Sequence, residues 1–436
     1  MKSKACSKEQ TGELDDTKGA GVRQVQRAPR ALTQAGEGLP PHARAWKIAA
    51  PVLISSLHAL TVISEIVTVA SIGYCLFCIW TGTQFSRQRS GVAAVIGALP
   101  PVSVLKPLKG CDPELYEALR SHCLQDYPDF EILFSITETN DPAAGVVRKL
   151  MQEFPGKTRL VDAEKRLGAN GKVSSLAQLA PLASHGILLV NDSDIRVEPE
   201  YLRRVVGRLQ LPNVGLVTCL YRAVPAQTVS SKLEALAIST DFAAGVLAAR
   251  TVEGGLLFGL GSTLAFRKRE LEAIGGFEAI VDYLADDYEL GRRISDRGLR
   301  VELSECVVET HLPAYDFSGF ISHQLRWART IRASRLLGYL GFVVTFTLPW
   351  AAATLLLSAG GRWAWGLAAA AVAVRSAMAV VFARFVLQDE HSLRSLWLLP
   401  LRDFLAPIIW LGGLFGRKIV WRGESFTLED GKLKPR

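Results

Sequence analysis

The sequence predicts an α/β protein: a mostly parallel sheet held at a membrane by apolar helices at both ends. Between Pro101 and about Thr310, short apolar runs alternate with helix-like stretches, the pattern of strands joined by helical crossovers. Outside that block, runs such as Ala59–Trp80 are apolar and long enough to cross a bilayer as a helix. Composition agrees, since the 436 residues are 49% hydrophobic with a mean hydropathy of +0.20, high for a soluble domain.

The elements follow in order. Residues 1–45 are rich in Gly, Gln, Arg and Ala without an apolar period, and read as a disordered tail. A polar, basic stretch of that length argues against a cleavable secretory signal. Residues 46–86 form an N-terminal transmembrane region. The block at 100–335 opens with "PVSVLKPLKG", a strand and then a loop. In "DPELYEALRSH", Asp112 reads as a helix cap with Pro113 at the first helical position, and Asp141 and Pro142 repeat that start after the strand "FEILFSI".

A short strand at Arg159–Asp162, a helix from about Val173 and a strand over Gly186–Asn191 come next. Further strands are expected at Gly215–Thr218 and Ser262–Arg267, with a long helical stretch through Arg250 between them and a helix after Ala285. Gly275 and Gly276 make a tight turn or a helix C-cap. The C-terminal transmembrane region, 336–416, holds three apolar runs: Leu337–Leu357, Trp363–Leu387 and Leu396–Phe415. The first is a clean span. The second carries Arg375 and Arg384 and the third Arg402 and Asp403; such groups pair, face a cavity or snorkel, so the number of crossings stays open. Residues 417–436 read as a basic tail.

Fifty Lys and Arg against 42 Asp and Glu give a net charge of +8, which suits an anionic substrate or lipid surface and equally a solvated face. Nothing in the pattern calls for nucleic acid. The seven cysteines are odd in number and scattered. Cys75 and Cys78 have C-x-x-C spacing inside an apolar span without a second pair, so they read as lipid- or helix-facing thiols rather than a metal site.

The stretch "LLVNDSDIRVEP" ends a buried strand in acid. In an extended segment Asp192 and Asp194 would point to one face, where their repulsion asks for a cation. Mg²⁺ or Mn²⁺ takes one or two carboxylates and shares its other sites with phosphate, so D-x-D reads as a bridge to a diphosphate; a plain turn or cap is the alternative. Downstream, "YLADDYELGRR" brings Asp286 and Asp287 together. Their adjacency raises a pKa toward that of a general base, unless Asp286 simply caps its helix. Arg326, Arg329, Arg332 and Arg335 recur every three residues on one helical face, suited to phosphate headgroups or an anionic nucleotide, or to solvent.

"PVSVLKPLKG", "NDSDIRV", "LADDYELGRRI" and "HQLRWARTIR", in that order and followed by apolar spans, resemble the membrane-bound inverting glycosyltransferases that include ceramide glucosyltransferase, with bacterial hopanoid-linked glycosyltransferases close by. The resemblance covers about Pro101–Arg335 and implies a GT-A fold that binds a UDP-sugar. It implies Lys106 and Glu138 near the uridine, Lys172 near the nucleotide, and Asp192 and Asp194 on Mg²⁺ or Mn²⁺. It makes Asp287 the general base and matches Arg326 and Trp327 to the end of the Q/R-x-x-R-W motif, whose first position, here His323, also lies by the nucleotide. Asp241 stands where the animal enzymes carry a histidine.

The implied reaction moves a hexose, glucose favoured, from UDP to the hydroxyl of ceramide or another lipid. UDP-N-acetylglucosamine transfer to a hopanoid polyol is the runner-up, ahead of a processive polysaccharide synthase and a non-enzymatic nucleotide-binding membrane protein. The implied location is a bacterial inner membrane with the catalytic block in the cytoplasm.

Overall fold

The computed structural model describes residues 41–91, 99–112, 114–421 and 423–435. The tail expected over 1–45 lies outside them as far as residue 40; residues 41–45 already belong to a helix, Pro41–Gly91. The chain divides into Met1–Ser56 and Leu57–Arg436, and everything below concerns the second unit.

Its centre is a mixed sheet of eight strands: β1 (Val102–Pro107), β2 (Phe130–Ile136), β3 (Thr158–Asp162), β4 (Ile187–Val190), β5 (Ile195–Arg196), β6 (Val214–Val224), β7 (Leu264–Arg267) and β8 (Arg300–His311). They lie in the order β3-β2-β1-β4-β7-β6-β8-β5. β3, β2, β1 and β4 run parallel, as do β6 and β8, while β7 is antiparallel to both its neighbours. The central strands are mostly apolar because helices cover both faces. Alternate side chains feed two cores: Leu105, Leu133, Leu188 and Leu216 join one, and Val104, Ile132, Leu189 and Val217 the other.

One helix start differs from expectation. The helix after β1 begins at Leu115, because Glu114 adopts a left-handed conformation (φ 53°) and Asp112 turns away to accept a 2.5 Å hydrogen bond from Ser193 Oγ. Asp141 does serve its helix, accepting from Ala143 N at 2.8 Å, and also ties down Gly110 N at 3.0 Å. β8 was not expected: its Glu302 and Glu305 interrupt the apolar run, and both pair with Arg208 of the helix Tyr201–Leu209.

Among the described residues, four helices are long and apolar enough to cross a membrane: Ile54–Arg89, Val229–Val252, Arg362–Val386 and Leu396–Leu414. Val229–Val252 is the most buried of them and packs beneath the sheet. The run expected as a clean span, Leu337–Leu357, is two helical pieces, Leu336–Thr345 and Thr347–Leu357, bent by 56°. Pro349 has no N–H for an interior turn, so the helix restarts just ahead of it. The second piece lies against the first span: Thr61 Oγ1 donates to Leu357 O at 3.3 Å, Thr68 and Thr354 hydroxyls meet at 3.0 Å, and Cys75 Sγ meets Thr347 Oγ1 at 3.3 Å. Cys75 and Cys78 thus face neighbouring helices, and both are free thiols.

The supposed basic tail is an antiparallel sheet of β9 (Lys418–Trp421), β10 (Glu424–Glu429) and β11 (Lys432–Pro435). Ile419, Phe426, Leu428 and Leu433 pack on Ala169 and Leu284, and Leu433 N donates to Asp282 O at 2.7 Å.

Candidate active site

The carboxyl ends of β1 and β4 converge on one buried polar cluster. Asn191 closes β4, donating from Nδ2 to Tyr201 Oη at 2.9 Å and to Ser262 O at 2.7 Å, which fixes where the chain turns. Lys106, fully buried near the end of β1, donates from Nζ to Asp192 O at 2.9 Å. Burial pushes its pKa down to about 7, against the pull of Asp194 and Asp192. Lys106 therefore anchors the acidic turn by its backbone.

Asp192 and Asp194 do not share a strand face. Residues 191–194 form a turn rather than extended backbone, so the two-residue period does not apply, and each carboxylate finds its own partner. Asp192 Oδ1 pairs with Lys172 Nζ at 2.7 Å, and the same ammonium reaches Asp286 Oδ2 at 2.9 Å. Asp194 accepts from Thr310 Oγ1 on β8, and burial, then the charge of Asp192, raises it to about 6. Asp286 lies in the first turn of its helix, Asp286–Ser295, and engages Lys172 instead of capping; no side-chain cap bond closes that end. Burial opposes the charge on Lys172, but Asp192, Asp286 and Asp287 outweigh it and hold the ammonium protonated.

What joins Asp192 is Asp287. Its Oδ2 accepts from Gly261 N at 2.7 Å. A Cβ on Gly261 would sit 2.9 Å from Asp192 Oδ2 and 3.3 Å from Asp287 Oδ2, so both oxygens border one small space that only glycine leaves open. Burial, then Asp286, raises the Asp287 carboxyl to about 6, with Lys172 opposing. A set of hard carboxylate oxygens with one member, Asp192, 42% exposed fits an Mg²⁺ or Mn²⁺ ion that completes its shell with phosphate. Among the described residues no three His, Cys, Asp or Glu already stand at metal-ligand spacing.

The remaining expected residues lie around this cluster. Glu138 is exposed, just beyond the end of β2. His323 and Trp327 share the helix Phe317–Ser334; their rings are 5.3 Å apart, and His323 stacks on Tyr315 at 5.6 Å. His323 Nδ1 lies 2.9 Å from Oε1 of the fully buried Glu234, out of line for a hydrogen bond. Burial and then the charge of Glu234 push the Tyr315 phenol up, with Arg326 opposing.

Three of the four arginines on the expected anion-binding face are engaged within the chain. Arg332 donates to Gly413 O at 2.8 Å and Leu414 O at 2.6 Å, and Arg329 to Lys418 O at 2.8 Å, because the helix Leu399–Leu414 ends with carbonyls that need donors. Arg335 pairs with Glu253 and lies over the Phe258 ring. A separate cavity of about 320 Å³, lined by Arg196, Glu198, Arg222 and Glu309 among others, includes none of the cluster's carboxylates.

A model of glycosyl transferase family 21 matches residues 63–434. The chain belongs to that family. Among curated relatives, ceramide glucosyltransferase 1 of Caenorhabditis elegans is 24% identical over 76% of this chain and 72% of its own. A ceramide glucosyltransferase of Komagataella phaffii is 34% identical over 29% and 25%, and a beta-monoglucosyldiacylglycerol synthase of Trichormus variabilis 26% identical over 49% and 45%. A mannosyltransferase of Pyrobaculum calidifontis, solved with GDP-Man and Mn²⁺, superposes with a TM-score of 0.50 at 21% identity, over 81% of this chain and 97% of its own, which supports the GT-A-type fold. The family 21 protein is accordingly a membrane glycosyltransferase. Sequence reasoning missed the Lys172 bridge to Asp286 and the Gly261 contact; "GLGSTLAF" offered only a glycine ahead of a strand, without a signal of what it meets.

Proposed function

We propose that this family 21 enzyme transfers a hexose, glucose favoured, from a UDP-sugar to the primary hydroxyl of a lipid such as ceramide, inverting the anomeric carbon. The observation that carries this is the pairing of Asp192 and Asp287 around Gly261, at the strand ends where an α/β sheet binds its ligand and beside apolar helices that present a lipid. The names of the ceramide glucosyltransferases support the glucose and the lipid, and the mannosyltransferase's bound Mn²⁺ supports a divalent ion.

Asp192 would hold Mg²⁺ or Mn²⁺, with Asp194 adding its charge from the same turn; when bound, the ion would supply positive charge to the departing diphosphate. The chain's own residues do the rest. Asp287, with a pKa raised to about 6 and its Oδ2 fixed by Gly261 N, accepts the proton of the lipid hydroxyl as that oxygen attacks. Lys172 keeps Asp286 and Asp192 from repelling each other and places positive charge beside the phosphates. Arg326 and His323 lie toward the leaving diphosphate, Trp327 lies toward the acceptor and Glu138 borders the uridine end, while the buried Lys106 acts from behind by holding the Asp192 backbone. A direct displacement inverts the anomeric carbon without a covalent intermediate. UDP-sugars are cytoplasmic, so the catalytic block faces that side.

The test is the purified full chain with Mn²⁺ and a panel of UDP-sugars against ceramide, diacylglycerol and a hopanoid polyol, read by mass spectrometry. Glucosylceramide is expected. No glycolipid from any pair overturns the proposal, and a product from UDP-N-acetylglucosamine and hopanoid alone reassigns donor and acceptor.

A further inference from the structure

Four charged side chains meet where the catalytic block touches the membrane helices. Arg375, 2% exposed on the helix Arg362–Val381, donates from Nε to Asp403 Oδ2 at 2.9 Å and from Nη2 to Asp403 Oδ1 at 2.7 Å and Asp241 Oδ1 at 2.7 Å. Arg402, 8% exposed, approaches the other oxygen of Asp241 at 3.2 Å. The group is neutral overall, yet it is not satisfied. Arg402 Nε and Nη1 and Arg375 Nη1 are buried and find no acceptor among the described residues. Buried guanidinium N–H groups without partners are costly, and three in one cluster call for acceptor oxygens from outside the chain.

The cluster has an open side and a route to the reacting groups. Asp241, about a third exposed (35%), sits in a single π-helical turn, Ile238–Phe242, a local widening that often marks a binding site. Its neighbour Phe242 lies 5.2 Å from the Tyr221 ring and 6.2 Å from Trp327. Tyr221 in turn feels the charges of Asp287 and Asp192, which add to burial in holding its phenol protonated. An aromatic strip thus runs from beside Asp241 to Tyr221, which lies within the field of the carboxylates proposed to carry out transfer.

We infer that Arg375, Arg402 and Asp241 form the subsite that grips the polar linkage of the acceptor lipid, its acyl carbonyl on the free arginine N–H groups and its own N–H or hydroxyl on Asp241. This rests on the lipid acceptor proposed above and narrows it. A neutral cluster offering both donors and an acceptor matches an N-acyl amino alcohol, which has an amide carbonyl and an N–H, better than a diacylglycerol, whose esters have no donor. A phosphate headgroup would bring charge that the paired arginines are not free to balance.

The experiment uses the full chain in lipid nanodiscs. The KM for ceramide, diacylglycerol and UDP-glucose and the Tm are measured for the wild type, Arg402→Gln, Arg402→Lys and Asp241→Asn. A diazirine-bearing ceramide is photo-crosslinked in parallel without any sugar nucleotide. The expected result is a roughly tenfold rise in the ceramide KM in Arg402→Gln and Asp241→Asn, with the UDP-glucose KM within about twofold, weaker crosslinking, and a smaller preference for ceramide over diacylglycerol in Asp241→Asn. Arg402→Lys keeps the charge beside Asp241 but loses the fork, so it shows the same ceramide effect with a Tm near the wild type. An unchanged ceramide KM, a wild-type preference for diacylglycerol, or a fall in Tm with both KM values moving together overturns the subsite and leaves a structural clamp. If the wild type glycosylates no lipid, the proposed reaction fails, and crosslinking alone then decides the subsite.

Discussion

Replacing Gly261 by alanine tests the active site most directly. Gly261 does not occupy the left-handed region, so alanine fits its backbone and the effect is confined to one methyl group. That methyl would stand 2.9 Å from Asp192 Oδ2 and 3.3 Å from Asp287 Oδ2, closer than carbon and oxygen settle. Neither carboxylate yields freely, since Lys172 holds Asp192 at 2.7 Å and the Gly261 N–H holds Asp287 at 2.7 Å. Relief needs a displacement of about half an ångström, the tolerance of a working site. Misplacement on this scale is expected to lower kcat/KM about 10²-fold, or about 2.7 kcal/mol of transition-state stabilisation. The contacts strained are polar and partly solvated, so the loss of fold stability stays near 1 kcal/mol, a Tm shift of about 2–4 °C. UDP release with subsaturating UDP-glucose and ceramide, beside a thermal melt, measures both. Activity within threefold of the wild type would refute the reading that these two carboxylates act together.

Other outcomes follow from the same geometry. Asp287→Asn is expected to lose 10²–10⁴-fold in kcat with donor binding retained, measured by UDP release and calorimetry. Because the active form of Asp287 is ionised and its pKa is raised to about 6, wild-type turnover holds above that pH and declines as pH falls through it. Lys172→Met leaves Asp192 and Asp286 facing each other, and denaturant melts at pH 8 should show a loss of about 2–3 kcal/mol. Lys106 has a folded pKa of about 7 against 10.5 unfolded, so the unfolded chain binds the extra proton between those values and stability rises with pH there. Lys106→Met removes that rise, which paired melts from pH 7 to 10 would reveal.

The parallel half of the sheet was legible because β1, β2 and β4 are short, mostly apolar runs followed by loops, a pattern that covering helices on both faces impose. β8 was not, because Glu302 and Glu305 look like solvent-facing breaks until Arg208, far earlier in the chain, is seen beside them. The C-terminal sheet did leave a sign. Asp430 and Gly431 both have positive φ, the hairpin conformation that an Asp-Gly pair favours, but the surrounding lysines and arginines hid it. At the site, motif reading named Asp192 and Asp287 and missed what joins them. Gly261, the Lys172 bridge and the turn that parts Asp194 from Asp192 are facts of distant segments meeting, and no local period encodes them.

The strands that end the chain have a consequence for how it is threaded. Because β9–β11 dock on the catalytic block at Asp282 and Leu284, the backbone that leaves this block at Ser334 must come home to the same leaflet by Lys418. Thr347–Leu357 climbs beside the first span, and Arg362–Val386 descends along it until Phe382 and Val386 abut Gly82. That is one out-and-back excursion. Leu399–Leu414, clustered with Leu233 and Leu236 and held at its end by Arg332, stays with the catalytic block. A reporter fused after Arg436 would therefore share its compartment with the sugar nucleotide.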